Sequence, residues 1–423
     1  MKITGIIAEY NPFHKGHLHQ MENCRKSPDD YIIAVMSGDF VQRGAPAVFN
    51  KYHRTETALL GGADLVLELP CIYATASAPL FAAAAVSILD SLHCVDSLSF
   101  GCENMDFDRM KRLSEFLSAP GSRYEQLVNE ALCHGCSYPK ARENALQYLF
   151  GPDILSVIQT PNNILALEYL IALKKRNSAI TPDPVLREGC DYHSITAREN
   201  QYPSATAVRC LIEEYGNSLK NRDDSHAFQT LEQLGKLLPE HCLQYLLQNH
   251  VLKNGMDVDD FSFPLHCRLL SEAPDGFSSY ADVSDDLSAK IIKNLNAYRS
   301  FSQFCRILKS RDLTYTRISR ALLHIVLGIK KELYPENKYP FTVPYARVLG
   351  FRKNSAELLS TVKKHSEIPV ISKLADADRL LDAHGRKLLS RDILSSHLYT
   401  AAAVNRNDSS FISEYEQQIV IVS

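Results

Sequence analysis

Apolar and polar residues alternate along the first two hundred positions in a pattern typical of strands followed by helices. Residues 3–8 form an apolar run long enough for a buried strand, and residues 17–26 have the character of a helix. The alternation continues, predicting strands at 31–36, 64–70, 97–101 and 183–188 and helices at 50–61, 76–92 and 164–175. Strands and helices that alternate through short connections build a parallel, doubly wound sheet. The sequence therefore predicts an α/β fold here.

The remainder of the chain has a different pattern. Residues 107–150 show helical periodicity and are predicted to be a helical insert, and the chain beyond 217 is predicted to be almost entirely helical except for a final strand at 418–422. Residues 217–225 are polar and charged, which is typical of a linker. Because 423 residues exceed the usual size of one domain, we predict two: 1–216, with an insert around 107–150, and 217–423.

Composition limits where the protein works. No run approaches the ~18 apolar residues needed to cross a bilayer, and the first residues are strand-like rather than typical of a signal peptide. The eleven cysteines form no framework, which indicates a reducing compartment. Cys133 and Cys136 would suit half a zinc site, but no second pair follows, so we interpret them as structural and predict no metal site. We expect a cytoplasmic protein that binds no membrane.

The formal net charge of −3 conceals an uneven distribution. Residues 287–364 hold sixteen Lys and Arg against four Asp and Glu, a local charge of +12, so the other residues sum to −15. Such asymmetry is typical of a polyanion-binding region joined to a neutral or acidic one, although a solvated basic face would give the same count. Aromatic residues that could stack on unpaired bases interleave with these charges: Tyr298, Phe301, Phe304, Tyr315, Tyr345 and Phe351.

The most informative motif lies between the first strand and the first helix. It places His14 and His17 at the helix start, with Gly16 between them. A helix start suits an anion because it carries unpaired N–H groups and the positive end of the helix dipole, and a glycine lets a phosphate approach the backbone. Both rings could then donate to charge that builds on phosphate oxygens during displacement at phosphorus. The alternative, two surface histidines in a loop, would not require strand, Pro, Gly and helix in this order.

A second candidate phosphate site lies at 202–209. Ser204 and Thr206 could cap a helix and bond phosphate, and Arg209, within two turns, could reach the same oxygens. Taken alone this would be an ordinary helix cap, but beside the histidine motif it predicts a second phosphate clamp. Asp39 and Gly101 follow other predicted strands, where ligands bind in an open parallel sheet.

These motifs together resemble the bacterial tRNA(Met) cytidine acetate ligase family, a branch of the nucleotidyltransferase superfamily that carries the His-x-Gly-His signature. The resemblance covers nearly the whole chain and rests on the runs 9–17, 37–46, 63–70, 100–103, 161–165, 204–209, 315–320 and 347–351. It implies a Rossmann-like parallel-sheet nucleotidyltransferase domain followed by a mainly α-helical, basic domain. It also implies an ATP-dependent ligase that joins acetate to AMP and passes the acetyl group to the wobble cytidine of elongator tRNA(Met), without acetyl-CoA.

The resemblance also assigns residues. Catalysis would involve His14, His17, Ser204, Arg209 and Asp39, although Asp39 could equally be an ordinary turn residue after Gly38. ATP would contact Ile7, Ala8, Glu9, Tyr10, Asn11, Pro12, Phe13, His14, Lys15, Gly16, His17, Leu18, His19, Gln20, Gly101, Asn162, Arg187, Ser204 and Thr206. The tRNA would contact Arg311, Arg317, Arg320, Arg347, Arg352 and Lys353. Mg²⁺ is expected with ATP, although no carboxylate cage is apparent, and no stable protein partner is expected.

Two other functions remain open at this point. One is a small-molecule adenylyltransferase without an RNA substrate, which the core motifs permit but which rarely needs a basic helical region of some 200 residues. The other is a catalytically silent RNA-binding protein, against which the intact phosphate motifs argue. Glu9 and Asp39 are candidates to position the cytidine amine or to accept its proton.

Overall fold

The computed structural model describes residues 2–103, 106–136, 138–186, 204–311, 313–335, 340–407 and 410–423. The strands are β1 Ile3–Ala8, β2 Tyr31–Ser37, β3 Phe40–Val41, β4 Ala45–Pro46, β5 Leu65–Leu69, β6 Ser97–Cys102, β7 Thr181–Leu186, β8 Ala346–Arg352, β9 Val370–Ile371 and β10 Val420–Val422. The first ten helices are α1 Lys15–Cys24, α2 Lys51–Leu60, α3 Cys71–Ala74, α4 Ala78–Ser91, α5 Phe107–Ser118, α6 Ser122–Cys133, α7 Tyr138–Phe150, α8 Leu155–Ile158, α9 Pro161–Arg176 and α10 Ala205–Lys220. The later ones are α11 Asp224–Leu237, α12 Glu240–Gln248, α13 Ser262–Glu272, α14 Asp285–Lys293, α15 Phe301–Leu308, α16 Tyr315–Leu327, α17 Ala356–His365, α18 Ala377–Leu380 and α19 Ala383–Asn407.

A single large sheet organises the molecule, in the strand order β10-β8-β5-β2-β1-β6-β7 with β9 on β8. Strands β5, β2, β1, β6 and β7 run parallel. The chain leaves β1 for β2 on one side and later crosses to β6 on the other, so the strand order reverses beside β1. The predicted α/β fold with a Rossmann-like parallel sheet is confirmed.

Apolar strands buried on both faces explain why the first half folds as predicted. The residues of β5 are all buried, as are most of those in β2. Helix α4, rich in alanine, packs almost all of its length into the same core, because small side chains let a helix approach a neighbouring surface closely. The predicted insert at 107–150 consists of α5, α6 and α7.

The C-terminal half differs from its prediction in one important respect. Strand β8, which lies in the stretch expected to be helical, pairs antiparallel with β5, and β9 and β10 pair parallel with β8. The rest of this half is mainly helical. The division at 216/217 stays a prediction, but β8 belongs to the N-terminal sheet. The predicted linker at 217–225 is wrong, because α10 continues to Lys220 and α11 begins at Asp224.

A buried ionic cluster joins β5, α2, β8 and the C-terminal segment. The Nζ of Lys51 lies 2.8 Å from Glu68 and 2.5 Å from Glu414, and Arg347 lies 2.9 Å from the same Glu68 and 2.7 Å from the same Glu414. All four side chains are at most 5% exposed. Two cations and two carboxylates thus alternate, so that each buried charge has two partners of opposite sign.

Three findings on the described residues concern membrane helices, cysteines and metal-binding groups. Within the residues that it describes, no helix combines the length and apolar character that crossing a membrane requires. The cysteines of the described segments are free thiols, and Cys133 is exposed at the end of α6. In those same segments, His, Cys, Asp and Glu side chains do not gather into a group of three or more that could hold a metal ion.

Candidate active site

A cavity opens at the carboxyl ends of β1, β6 and β7, where the strand order of the sheet reverses. This is the position at which open parallel sheets bind ligands. Most of the predicted site residues line it: Ile7, Ala8, Glu9, Tyr10, Asn11, His14, Gly16, His17, His19, Gln20, Gly101, Asn162, Ser204, Thr206 and Arg209. The N-terminal ends of α1, α9 and α10 all contribute to the lining. Three helix starts at one cavity favour a polyanion.

The two histidines are held by a reciprocal cap at the start of α1. The Nδ1 of His14 accepts a hydrogen bond from the Gly16 N–H at 3.1 Å, and the Nδ1 of His17 accepts one from the His14 N–H at 3.2 Å. An Nδ1 that accepts a hydrogen bond carries no proton, so the proton of each neutral ring is on Nε2. The rings stack 3.8 Å apart. The backbone therefore selects the tautomer in which both rings donate from Nε2.

The second clamp is built on the first turn of α10. Ser204 caps the helix, with its Oγ accepting the Ala207 N–H at 3.1 Å. The Arg209 guanidinium donates to the Thr206 Oγ1 at 3.0 Å and to the Asn11 carbonyl at 2.8 Å, which ties α10 to the histidine loop. Burial, together with the charge of nearby Arg43, lowers the pKa of Arg209 below its ordinary value. An anion beside this arginine would relieve that repulsion.

The start of α9 is held beside β6 by a carboxylate. The Nδ2 of Asn162 donates to Glu103 at 2.5 Å, and the Glu103 N–H donates to Asn163 at 2.9 Å. Gly101, two residues earlier on β6, pairs with Val185 of β7. These contacts bring Gly101 and Asn162 together at the cavity, as predicted. The predicted ligand Arg187 lies outside the described residues.

Arg54, which sequence reasoning missed, bonds the ends of β1 and β2 to α2. Its side chain is completely buried in α2 and donates to four carbonyl groups, those of Glu9, Ser37, Gly38 and Phe49. One guanidinium thereby satisfies the backbone where β1 and β2 end, because each of those carbonyls would otherwise be buried without a donor. An arginine in a helical pattern gives no sign of this role.

Several predicted residues lie elsewhere than the cavity lining. Asp39 is buried, with its Oδ1 accepting the Lys51 N–H at 2.7 Å, so it stabilises the entry to α2, and we withdraw the catalytic assignment. Lys15 donates to the carbonyls of Gly235 and Lys236 at the end of α11. The other three are apolar residues packed in or against the core beside the loop: Pro12, Phe13 and Leu18.

Two cavity-lining residues come from the tight hairpin of β3 and β4. Gln42 and Arg43 lie at its turn, and the Gln42 N–H donates to the Glu9 carboxylate at 2.9 Å. In the sequence, the one signal that these two residues belong to the site is their position in the run 37–46. Among the apolar lining residues, Phe100 and Leu165 lie in the runs 100–103 and 161–165, whereas Phe81 and Tyr169 belong to ordinary apolar periodicity and carry no sequence signal.

The six predicted tRNA contacts do not form one surface. Arg311 is exposed just before α16, and Arg317 and Arg320 lie in its first two turns, where Arg320 also pairs with Asp282 at 3.0 Å. Arg347 is 4% exposed within the ionic cluster, so we withdraw it from the RNA surface.

Arg352 ends the antiparallel strand β8, and Lys353 follows it. The Arg352 N–H donates to the Asp64 carbonyl, immediately before β5, at 2.9 Å. This is the edge of the sheet opposite the cavity, since the cavity lies where the parallel strands end.

The predicted base-stacking aromatics are largely core residues. Phe301, Phe304 and Tyr345 are completely buried, so these three belong to the core, as some of the six had to, and cannot stack on a base. Tyr298, Tyr315 and Phe351 are partly buried and pack against the core.

The cavity and the sheet together define a nucleotide site of the nucleotidyltransferase class, and comparisons with known proteins agree. Residues 1–413 match the family described as HIGH Nucleotidyl Transferase. A tRNA(Met) cytidine acetate ligase of Thermoanaerobacter sp. (strain X514) is 38% identical over 408 residues, 96% of each chain. One from Acetivibrio thermocellus is 34% identical over all of both chains.

Two solved structures share the fold of this chain over its whole length. The crystal structure of Thermotoga maritima TmcAL bound with alpha-thio ATP has a TM-score of 0.86 at 27% identity, covering all of both chains. The apo form has a TM-score of 0.88 at 28% identity. The chain therefore belongs to the HIGH Nucleotidyl Transferase family and, within it, to the family of ligases whose members carry the name tRNA(Met) cytidine acetate ligase.

Proposed function

We propose that this protein activates acetate with ATP and transfers the acetyl group to the wobble cytidine of elongator tRNA(Met), forming N4-acetylcytidine. The observation that carries the proposal is the convergence of two Nε2-protonated histidines, Arg209 and three helix starts on one cavity. The name of the relatives supports tRNA(Met), cytidine and acetate as substrates, and the nucleotide bound in the Thermotoga structure supports ATP.

The first step makes acetate a competent acyl donor, since its own leaving group would be oxide. A carboxylate oxygen of acetate attacks the α-phosphorus of ATP, the bond from that phosphorus to the bridging oxygen breaks, and pyrophosphate leaves. The product is acetyl-adenylate, a mixed anhydride. Negative charge develops on phosphate oxygens during the displacement, and His14, His17 and Arg209 are the donors at the cavity that would stabilise it.

In the second step the N4 amine of cytidine attacks the acetyl carbonyl carbon, and AMP leaves with the electrons of the broken anhydride bond. The attacking amine must lose a proton. Among the described residues that line the cavity, Glu9 supplies the one carboxylate, and the Gln42 N–H fixes its orientation. We assign Glu9 to accept that proton.

Mg²⁺ would enter with the nucleotide. A single carboxylate among the described lining residues does not make an all-protein cage, so the phosphate oxygens themselves would provide most of the ligands, as Mg²⁺ usually requires. The ion would supply charge neutralisation on the departing pyrophosphate.

Isotope exchange tests the order of the two steps. The purified protein should exchange labelled pyrophosphate into ATP when acetate is present and tRNA is absent, because adenylation needs no RNA. Propionate should support slower exchange, since one methylene is worth only ~1–3 kcal/mol in a pocket.

Acetyl transfer to tRNA(Met) should then require ATP and free acetate. Transfer from acetyl-CoA without ATP would overturn the proposal. Exchange without any transfer to RNA would instead favour a small-molecule adenylyltransferase. If neither exchange nor transfer occurred, a catalytically silent RNA-binding protein would be favoured.

We propose that tRNA approaches along α16 rather than past Arg352 and Lys353 at the end of β8. The Ser319 Oγ donates to the Gly44 carbonyl at 2.8 Å, so α16 rests on the hairpin turn whose neighbouring residue Arg43 lines the cavity. A backbone held along α16 would thus lie beside the reacting centre. Arg352, at the end of β8, is about 17 Å from Arg347 near its beginning, given ~3.3 Å per residue over five steps.

Paired neutralisations test this placement. Arg311→Ala with Arg317→Ala should weaken tRNA binding and reduce the log–log salt slope by ~0.7–0.9 per lost phosphate contact, because each contact releases counterions. The matched pair Arg352→Ala with Lys353→Ala should change both quantities much less. Binding measured across a salt series checks this, with acetate-dependent exchange as a folding control. Equal losses for both pairs would contradict the placement, and no loss for either would leave the basic region as a solvated face.

A further inference from the structure

We propose that Arg43 is a further catalytic residue, which contacts the triphosphate of ATP in the cavity that it lines together with Arg209. This inference rests on the proposed function for the identity of the nucleotide, but not for acetate or tRNA. The side chain lies in the turn of the β3–β4 hairpin and lines the same cavity as His14, His17 and Arg209.

Three hydrogen bonds hold the hairpin turn, one within it and two from neighbouring segments. The Gly44 N–H donates to the Val41 carbonyl at 2.9 Å within the turn, and the Gly44 carbonyl accepts the Ser319 hydroxyl of α16. On the inner side, the Gln42 N–H is bonded to the Glu9 carboxylate. A turn bonded on both flanks of Arg43 fixes the backbone from which its side chain reaches the cavity.

Gly44 shows how closely α16 approaches this turn. Its φ is +76°, and a Cβ built there would overlap the backbone nitrogen of Arg320. Only glycine combines that conformation with that contact. The helix that we propose for tRNA binding and the turn that carries Arg43 are thus packed backbone to backbone.

The charge around Arg43 indicates an anion. Arg43 and Arg209 line one cavity with three helix starts, and Glu9 is the one carboxylate among its described lining residues. The charge of Arg43 acts against that of Arg209, and Glu9 opposes this effect. A bound triphosphate, which carries three or four negative charges, would lie between the two guanidinium groups and pair with both. Arginine suits this position because its planar fork can bond two phosphate oxygens at once.

Direct nucleotide binding tests the proposal independently of acetate and tRNA. Calorimetric titration of Arg43→Ala should show ATP affinity reduced about 10- to 100-fold, the loss expected for a charge-assisted hydrogen bond. Adenosine, which has no phosphate, should bind the variant and the wild type alike. Arg43→Lys should recover part of the ATP affinity, since it keeps the charge but not the fork.

Arg112→Ala is the matched control, because Arg112 is exposed on α5 and is not among the cavity residues. It should bind ATP as the wild type does. Wild-type ATP affinity in Arg43→Ala would overturn the assignment, as would an equal loss for adenosine, which would indicate a disturbed fold. Failure of acetate-dependent exchange in the wild type would refute the proposed function while leaving this binding result intact.

Discussion

Replacing His17 by alanine should reduce acetate-dependent pyrophosphate exchange by ~10²–10³ while leaving the protein folded. The reason is that the variant loses one preorganised Nε2–H donor at the phosphates, and removal of one such donor typically costs that much in rate. It also loses the acceptor for the His14 N–H, a cap worth about 1 kcal/mol. Exchange rates and the urea midpoint of unfolding measure the two losses separately.

His17→Asn distinguishes the two contributions. An asparagine oxygen can take the place of Nδ1 and accept the His14 N–H, but its side chain ends short of the position of Nε2. This variant should regain the cap stability and remain as inactive as His17→Ala. His226→Ala, at an exposed position of α11, provides the control and should leave the exchange rate unchanged. Recovery of activity by His17→Asn would mean that the histidine serves the helix cap rather than the phosphate.

The second large effect concerns stability. Lys51→Met should lower the free energy of unfolding by ~3–5 kcal/mol, because it leaves the buried carboxylates of Glu68 and Glu414 without one of their two cations. Lys111→Met, an exposed Lys-to-Met change on α5, should stay within about ±0.5 kcal/mol. Urea unfolding measures both. Equal stability of the two variants would show that Arg347 alone compensates the carboxylates.

The same cluster predicts how stability depends on pH. Burial alone would raise the pKa of Glu414, but Lys51 and Arg347 outweigh it and lower that pKa to about 2. An acid whose pKa is lower in the folded state stabilises the fold at pH values above its unfolded pKa, which for this carboxyl has the ordinary value of 4.5. That contribution should be present at neutral pH and be lost progressively as the pH falls from about 4.5 towards 2. In Lys51→Met the pKa of Glu414 should be lowered less, because one of the two cations is gone. The pH range over which this stability is lost should therefore be narrower.

Local sequence determined the elements that position the nucleotide site. Strand β1 was predicted with its observed bounds, and α1, β2, α2, β5, α4, β6 and α9 were predicted within a few residues of theirs. These are apolar strands and helices, two of them capped by a side chain, whose patterns depend on near neighbours in the chain. The histidine motif and the 204–209 motif are likewise short and local, and the parallel sheet necessarily brings strand ends to one edge. For these reasons the cavity residues were largely foreseen.

Only the tertiary structure determined what distant segments do to one another. The basic, partly apolar sequence of β8 does not show that it adds antiparallel to β5, or that this buries Arg347 in the ionic cluster while Arg352 emerges at the opposite edge. Nor does the sequence show that Gly38 is needed because Glu68 occupies the space of a Cβ there, or that Arg54 bonds the ends of two strands. A charge count treats these arginines alike, because composition records the residue type and not the partner. Partners come from packing between segments far apart in the chain, and that packing separates an arginine that binds phosphate from one that stabilises the interior.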